Sequence, residues 1–254
     1  MSYAQPTWGE VDPAAFERIV VVSPHFDDAA MGAGHLLASY ADTTVITVLA
    51  GRPPAYPEEV SEWDALGGFK PGDDVVGGRR EEDLAAMEVL ESGYRWLEFS
   101  DHQYLAPPDR PKPAEVAPVL AATIAELNPT SVFVPMGLGN PDHVMVHEAS
   151  LLVRADQEDR LWFCYEDHGY KHIPGLLAWR VAKLLRAHPW PTPAIVPHTP
   201  DEERKRKAIW SYTSQIPPLE RDHALSARME GRVPEQFWRL DPPPAGWEGL
   251  ADFI

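Results

Sequence analysis

Short apolar runs alternate with amphipathic segments through the first two thirds of the chain. Runs rich in β-branched residues predict strands at about 18–22 and at 43–50, 95–99, 131–135 and 161–165. Between them, apolar residues at three- and four-residue intervals predict helices at 29–40, from 79 onward, at 113–127, at 144–154 and, later, at about 201–213. Strands that alternate with helices predict an α/β fold, a Rossmann-like, mostly parallel sheet flanked by helices.

The chain shows no internal repeat and no clean change of composition, so we predict a single domain over residues 1–254. Residues 1–17 lack periodicity and are expected to form an N-terminal arm. From about 190 to 254, apart from the helix, proline and tryptophan predict an irregular C-terminal extension. The connection 51–78 is long and rich in proline and glycine, which is typical of a lid or a binding loop.

Acidic residues outnumber basic ones by 39 to 22, which gives a formal net charge of −17. Such a surface repels phosphate backbones and anionic lipids, so we expect neither nucleic acid nor a membrane as partner. The basic run 204–207 is interpreted as a solvated helix face. The single cysteine, Cys164, excludes an internal disulfide, and with no signal layout in view the sequence predicts a cytoplasmic protein. The sequence does not determine the oligomeric state, and a homo-oligomer is allowed.

Polar side chains follow three of the predicted strands. They are His25, Asp27 and Asp28 after the first, Asp101 and His102 after the third, and Asn140, Asp142, His143 and His147 after the fourth. The carboxyl ends of parallel strands share one edge of a sheet, so these groups are expected to meet there. A catalytic zinc takes three protein ligands and keeps a position for water. His25, Asp28 and one histidine from positions 143 and 147 would form such a set, which leaves Asp27 free for proton transfer.

A Gly-x-Gly pattern, Gly32 and Gly34, follows the first strand and could indicate a dinucleotide-binding turn. The third glycine of that fingerprint is absent, and charged residues occupy the turn. We therefore interpret both glycines as sites of close packing between a helix and the sheet. A nucleotide-binding Rossmann protein is the remoter alternative.

Two of the polar segments resemble those of a known family. Segment 23–28, Ser-Pro-His-Phe-Asp-Asp, and segment 140–143, Asn-Pro-Asp-His, are similar to motifs of the LmbE/PIG-L family of zinc-dependent N-deacetylases. The resemblance extends from about 20 to 215 and implies an LmbE-like fold. It also implies a small-molecule substrate, an N-acetylglucosamine-type amino sugar or glycoside, from which the acetyl group is removed.

The resemblance implies a role for each residue of the first motif and for the end of the second. His25, Asp28 and His143 would bind Zn²⁺, with another divalent metal as an allowed occupant. Asp27 would be the general base that takes the proton of a water molecule. The ligand set is incomplete without His143, which lies more than a hundred residues after the first motif.

Four further residues have roles by the same resemblance. Asp142 would steady a ligand, and His147, one helical turn after the third ligand, is held as an alternative ligand or a supporting group. Arg79 and Asp101 would bind sugar hydroxyls. Without the resemblance, Arg79 is an ordinary charged helix residue and Asp101 a turn former.

Three residues depart from the family pattern. Phe26 and Ala29 replace a common Pro and Glu, and Asn140 stands where many members have a histidine. Asparagine donates a hydrogen bond to an oxyanion but cannot shuttle a proton. Either the general base also returns the proton, which we favour, or His102 or His168 substitutes. The alternative function is a catalytically weak or inactive family member that binds a glycan or small ligand.

Overall fold

The computed structural model describes residues 11–157, 160–187, 189–230 and 234–246. Its strands are β1 Ile19–Ser23, β2 Thr43–Thr47, β3 Gly93–Trp96, β4 Ser131–Pro135, β5 Leu161–Tyr165, β6 Trp190–Ala194 and β7 Phe237–Asp241. Its α-helices are α1 Asp28–Ser39, α2 Glu62–Leu66, α3 Val75–Leu90, α4 Pro113–Leu127, α5 Pro141–Ala155, α6 Leu176–Ala187, α7 Glu202–Ser211, α8 Ile216–His223 and α9 Leu225–Glu230. None of these described helices has both the length and the apolar character needed to cross a bilayer.

The seven described strands form one sheet in the order β3-β2-β1-β4-β5-β7-β6. The strands from β3 to β5 in this order are parallel; Val21 of β1, for example, pairs with Val45 of β2 and with Phe133 of β4. β7 runs antiparallel to both β5 and β6. The α/β fold with a mostly parallel sheet is therefore confirmed.

Alternate residues of the parallel strands pack on opposite faces of the sheet. Val21 and Phe133 belong to one apolar core, which includes residues of α1, α3 and α7. Val22 and Val134 belong to a second core, which includes residues of α4 and α5. Strands that are buried on both faces have nearly continuous apolar sequences, and for this reason the parallel strands are visible in the sequence.

β1 and β4 lie side by side in the sheet, at the point where the order of strands reverses. β2 and β3 extend the sheet on one side of β1, and the chain then returns to place β4 on the other side. Connections that leave in opposite directions open a crevice outside the carboxyl ends of the strands. The segments that follow β1 and β4 therefore flank one crevice.

Helix α1 packs closely against its neighbours because two of its positions lack a side chain. A Cβ on Gly32 would lie 2.5 Å from the ring of Tyr165 in β5, and a Cβ on Gly34 would lie 2.9 Å from Lys205. Ala33, between them, leaves the helical region with φ at −141°, which kinks the helix. The interpretation of helix–sheet packing is confirmed for Gly32, whereas Gly34 packs against helix α7 rather than against the sheet.

The C-terminal part of the chain is more regular than its sequence indicates. The expectation of an irregular extension from about 190 is wrong for β6, α8, α9 and β7, which the structure contains in addition to α7. Pro191 and Pro193 obscure β6 in the sequence; on this edge strand, prolines two residues apart can both turn their nitrogens to the open side. Residues 1–10 of the predicted arm lie outside the described residues, and Phe16 near its end is buried in a 3₁₀ turn.

Three smaller expectations also differ from the structure. β3 occupies Gly93–Trp96 rather than 95–99. α3 begins at Val75 rather than at 79, because the Asp74 carboxylate caps it by accepting the backbone N–H of Gly77. The basic run 204–207 is not wholly solvated, since Lys205 is buried and its Nζ lies 2.7 Å from Glu235 Oε1.

Candidate metal centre and active-site cavity

The polar segments that follow β1, β3 and β4 meet at the crevice beside the two central strands. His25 and Asp28 come from the turn into α1, Asp101 lies in the connection after β3, and Asp142 and His143 belong to the first turn of α5. All of them line one cavity of about 280 Å³. This volume is near the lower end of small-molecule sites, which hold roughly 300–1,000 Å³.

The three predicted metal ligands are brought together. His25, Asp28 and His143 each offer one ligand atom, and these atoms lie within 4.8 Å of one another. Oδ2 of Asp28 is 3.2 Å from Nδ1 of His25 and 3.3 Å from Nε2 of His143. The backbone N–H of His25 also donates to this oxygen, at 2.9 Å, and so fixes the carboxylate. Two imidazole nitrogens and a carboxylate oxygen form a donor set that a catalytic zinc accepts.

A second carboxylate lies behind each histidine of this group. Nε2 of His25 is 3.2 Å from Oδ2 of Asp142, and Nδ1 of His143 donates to Oδ1 of Asp167 at 2.6 Å. The other oxygen of Asp167 accepts the backbone N–H of Leu138 at 3.0 Å. Carboxylates in this position orient a metal-binding histidine, select its tautomer and strengthen it as a ligand.

Sequence reasoning expected Asp142 in this supporting position but missed Asp167. The missed residue follows β5 by two positions, at the same edge of the sheet as the other polar clusters. The rule that gathered the clusters after β1, β3 and β4 applies equally to this strand. That position was the available signal.

Neighbouring charges set the protonation of the ligand group. Burial by itself lowers the pKa values of His25 and His143, but the carboxylates around them hold both pKa values above the ordinary range. Burial raises the pKa of Asp28, but the two imidazoles outweigh it and lower that pKa. The group is thus a network of cationic rings and anionic carboxylates, in which a metal ion would take the place of protons.

Asp27, next to this network, has a different environment. Asp27 is 6% exposed, and its carboxylate accepts no hydrogen bond from another described residue. Burial, together with the charge of Asp28, raises its pKa to about 7. A desolvated carboxylate with a near-neutral pKa is suited to general-base chemistry.

Asn140 caps helix α5 and also contacts Tyr170. Its Oδ1 accepts the backbone N–H of Asp142 at 2.8 Å, and its Nδ2 donates to the hydroxyl of Tyr170 at 3.4 Å. The Tyr170 ring makes edge contacts with His143 and with His223, at centroid distances of 5.4 Å and 5.1 Å. Sequence reasoning missed this tyrosine, which belongs to the same segment after β5 as the missed carboxylate.

The two predicted sugar-binding residues, Arg79 and Asp101, both line the cavity. Nη2 of Arg79 donates to the buried Asp64 at 2.6 Å, and Nη1 donates to the hydroxyl of Tyr104 at 3.2 Å. Nε of Arg79 is buried and has no partner among the described residues. Asp101 accepts the backbone and side-chain N–H groups of Gln103, at 2.8 Å and 2.9 Å.

Three other histidines are not among the residues that line the cavity. Nδ1 of His147 donates to the Pro135 carbonyl at 2.8 Å, and this histidine is not among the grouped ligand atoms. Burial lowers its pKa to about 3, which keeps the ring neutral. Nδ1 of His102 lies 2.8 Å from Oδ1 of Asp142, behind that carboxylate. His168 is buried elsewhere, with its pKa lowered to about 3 by burial and by nearby cationic side chains.

The rest of the cavity lining includes an apolar surface. Phe26, Met31, Val76 and Leu219 are buried and belong to one core cluster, against which Trp63 packs. Trp63 belongs to α2, inside the long connection 51–78, and its side chain lines the cavity. This connection therefore contributes to the cavity, as a binding loop would.

Comparison with known families identifies the chain. Residues 20–154, more than half of its length, match the family model PIG-L, described as GlcNAc-PI de-N-acetylase. The chain belongs to the PIG-L family. The resemblance carried by segments 23–28 and 140–143 is thereby confirmed, and both segments lie within the matched range.

A curated relative of this PIG-L family chain comes from Kineococcus radiotolerans. It is a 1D-myo-inositol 2-acetamido-2-deoxy-alpha-D-glucopyranoside deacetylase, 29% identical over 218 residues. The match covers 69% of this chain and 55% of that protein. The chain thus spans about half the length of the curated relative it matches.

Solved structures share the fold over nearly the whole chain. A triple mutant of a deacetylase of the teicoplanin biosynthetic pathway is 25% identical, with a TM-score of 0.69, and the match covers 90% of this chain and 100% of that one. The A40926 pseudoaglycone deacetylase Dbv21 is also 25% identical, with a TM-score of 0.66 and coverage of 88% and 96%. The N,N'-diacetylchitobiose deacetylase of Pyrococcus horikoshii, 19% identical with a TM-score of 0.60 and coverage of 94% and 89%, shows likeness of fold alone. The LmbE-like fold is confirmed.

Proposed function

We propose that this protein is a metal-dependent hydrolase that removes the N-acetyl group from an N-acetylglucosamine-type amino sugar or glycoside. One observation carries the proposal: the ligand atoms of His25, Asp28 and His143 lie within 4.8 Å of one another in the cavity that the buried Asp27 also lines, and the Asp27 carboxylate accepts no hydrogen bond from another described residue. Membership of the PIG-L family supports the reaction class. The deacetylases named above support the class of substrate.

His25, Asp28 and His143 would hold the metal, for which we propose Zn²⁺, with another divalent ion as an allowed occupant. The site fits such an ion because its donor atoms are close together and a carboxylate lies behind each imidazole. When bound, the metal supplies Lewis-acid chemistry, polarising the amide carbonyl and lowering the pKa of water.

Asp27 acts in this proposal as both general base and general acid. Its carboxylate takes the proton of the attacking water and then returns it to the leaving amine, so that one acetate and one free amine are released. His102 and His168 do not line the cavity, which supports the assignment of both steps to this one carboxylate. General acid–base catalysis of this kind contributes about 10²–10⁴-fold to a rate.

The sugar would occupy the cavity between the polar groups and the apolar surface. The Arg79 guanidinium, which lines the cavity, offers a donor to a sugar oxygen, and Asp101 offers an acceptor near the ligand group. The indole of Trp63 offers a flat apolar surface for the C–H face of a pyranose. Polar groups that fix orientation beside an apolar wall are typical of small-molecule sites.

A glycan- or ligand-binding protein without turnover is the alternative function. Two departures from the family pattern, Ala29 and Asn140, favour it. We also propose a cytoplasmic location and a small-molecule partner, with a homo-oligomer as an allowed state. The net charge of −17 argues against nucleic acid and membrane surfaces as partners.

Metal analysis combined with an amine-release assay tests the proposed function. The purified protein is assayed on a panel of N-acetylglucosaminides before chelation, after chelation and after zinc is restored. We expect about one zinc per chain and amine release that is lost and regained with the metal. One zinc per chain with no turnover on any N-acyl amino sugar would support the ligand-binding alternative, and tight dinucleotide binding without metal would overturn both.

A further inference from the structure

Asn140 lines the cavity and makes two hydrogen bonds within the protein. Its Oδ1 is occupied by the backbone N–H of Asp142, and its Nδ2 is directed at the Tyr170 hydroxyl. The amide NH₂ carries two hydrogens, so one N–H faces the Tyr170 hydroxyl and the second has no partner among the described residues. The Tyr170 hydroxyl is thus a second donor beside the one that the sequence assigns to Asn140.

The Tyr170 hydroxyl has a hydrogen to donate. Its oxygen accepts from Asn140, and within the described ranges no acceptor for its own O–H is present. A phenol keeps its proton at neutral pH and combines one donor with acceptor capacity. The bond from Asn140 occupies one side of the oxygen and leaves the O–H for a ligand in the cavity, which Tyr170 lines together with His143 and Asp28.

The position of the Tyr170 ring is fixed by its neighbours on several sides. Edge contacts with His143 and His223 hold the ring from two directions. A Cβ on Gly139, which has φ at +70°, would lie 2.3 Å from the ring, so the close approach requires glycine at that position. The backbone N–H of Tyr170 also donates to the carbonyl of Asp167, whose side chain holds His143. The tyrosine and the ligand support thus belong to one turn.

We infer that Tyr170 is a catalytic hydrogen-bond donor that stabilises the oxyanion of the tetrahedral intermediate, and that Asn140 is a positioning residue acting through it. The inference rests on the proposed deacetylation. No proton is transferred by Tyr170: its O–H shares a hydrogen bond with the oxygen that gains charge when water attacks the amide carbon. A donor placed in advance for developing charge lowers the barrier without reorganisation.

Tyr170→Phe is the variant that tests the inference, because it keeps the ring and removes only the hydroxyl. We expect its kcat to fall by about 10²–10³-fold, the range for loss of one oxyanion donor, with KM and zinc content near those of the unmodified protein. Affinity for a phosphonamidate analogue of the tetrahedral intermediate should fall by a similar factor, and affinity for the free amino sugar should not. The exposed Tyr94→Phe in β3 is the matched control.

Asn140→Asp separates the two residues. An aspartate keeps the acceptor for the cap of α5, but its second oxygen accepts the Tyr170 O–H and withdraws that hydrogen from the substrate. We expect a fall in kcat like that of Tyr170→Phe, and no further fall when both changes are combined.

Two results would overturn the inference while leaving the proposed function intact. The first is a Tyr170→Phe variant that retains the kcat and the phosphonamidate affinity of the unmodified protein. The second is a double variant in which the two losses multiply, which would mean that Asn140 contacts the substrate independently. If the unmodified, zinc-loaded protein released no amine from any N-acetylglucosaminide, the proposed function would fail first and the inference with it.

Discussion

Asp27 and Asp28 are adjacent in the sequence, yet their carboxylates have opposite environments. Asp28 accepts the backbone N–H of His25 and lies between two imidazoles, which lower its pKa against the effect of burial. The carboxylate of Asp27 receives no hydrogen bond from another described residue, and burial raises its pKa to about 7. The same side chain is therefore held as a fixed anion at one position and as a proton-exchanging group at the next.

The backbone explains how neighbours come to differ so much. Asp27 is the N-cap of α1 and Asp28 is its first residue, so their side chains leave the helix in directions about 100° apart. The Asp28 carboxylate lies among the ligand atoms of His25 and His143, whereas Asp27 is not among the grouped ligand atoms although it lines the same cavity. Two titratable groups whose surroundings push their pKa values apart are a pattern of acid–base sites.

Among the variants that separate Asp28 from Asp27, the largest effect is expected for Asp28→Asn, which should lose the metal. An amide is a weaker ligand than a carboxylate, and Asp28 lies between the two histidines. We expect metal affinity to fall by more than the roughly 100-fold that marks the upper range for supporting residues, with turnover lost in parallel. Metal content after dialysis against a buffered zinc series measures this, and an unchanged affinity would end the assignment of Asp28 as a ligand.

A smaller effect is expected for the carboxylates behind the histidines. The His143 ring N–H and the Leu138 backbone N–H are accepted by different oxygens of Asp167, so in Asp167→Asn one of these donors faces an NH₂ group that cannot accept it. Metal affinity should therefore fall by about 10–100-fold, while the metal content at saturating zinc is retained.

Asp142→Asn is the matched control for Asp167→Asn. His25, at 22% side-chain exposure, also has Oδ2 of Asp101 at 3.8 Å. His143 is 3% exposed, and among the described residues Asp167 alone holds its Nδ1. The loss in zinc affinity should be smaller for Asp142→Asn. A larger loss in this variant than in Asp167→Asn would contradict the ranking.

The smallest effect concerns Asp83, a buried carboxylate outside the metal centre. It accepts hydrogen bonds from Trp96 and Tyr212, at 2.7 Å and 2.8 Å, yet burial raises its pKa to about 6. A folded-state pKa above the unfolded value of about 3.9 means that its contribution to stability is present below that value and lost as pH rises toward 6. Relative to Asp83→Asn, the unmodified protein should lose about 1–3 kcal/mol of unfolding free energy between pH 4 and pH 8.

Denaturant titrations of both proteins at several pH values measure the Asp83 effect. An asparagine at this position still accepts from the Trp96 indole and donates to the Tyr212 oxygen, so the variant is expected to fold. A stability difference that does not change with pH would show that burial does not shift this carboxyl group.

The parallel strands and the first motif could be predicted from the sequence because both depend on short-range patterns. Runs buried on both faces are nearly continuous in apolar residues, so the predicted bounds of β4 and β5 agree with the structure. The rule that strand ends share an edge likewise predicted that His25 and His143 would meet.

What the sequence did not predict depends on long-range contacts. Asp167 and Tyr170 follow β5 just as the other polar clusters follow β1, β3 and β4. Only the fold, however, shows that Asp167 contacts His143 and that Tyr170 contacts Asn140. β6 contains two prolines and, among the described strands, pairs only with β7 from much later in the chain, so no local pattern indicates it.

Zinc content and amine release of Asp27→Asn, determined on one preparation, separate the functions of the two neighbouring carboxylates. Asparagine has nearly the same shape but cannot accept a proton from water, and Asp27 is not among the grouped ligand atoms. We expect zinc content equal to that of the unmodified protein and amine release reduced by at least about 10²-fold, within the range for general acid–base catalysis. Undiminished amine release, or loss of zinc together with activity, would contradict the division of function between Asp27 and Asp28.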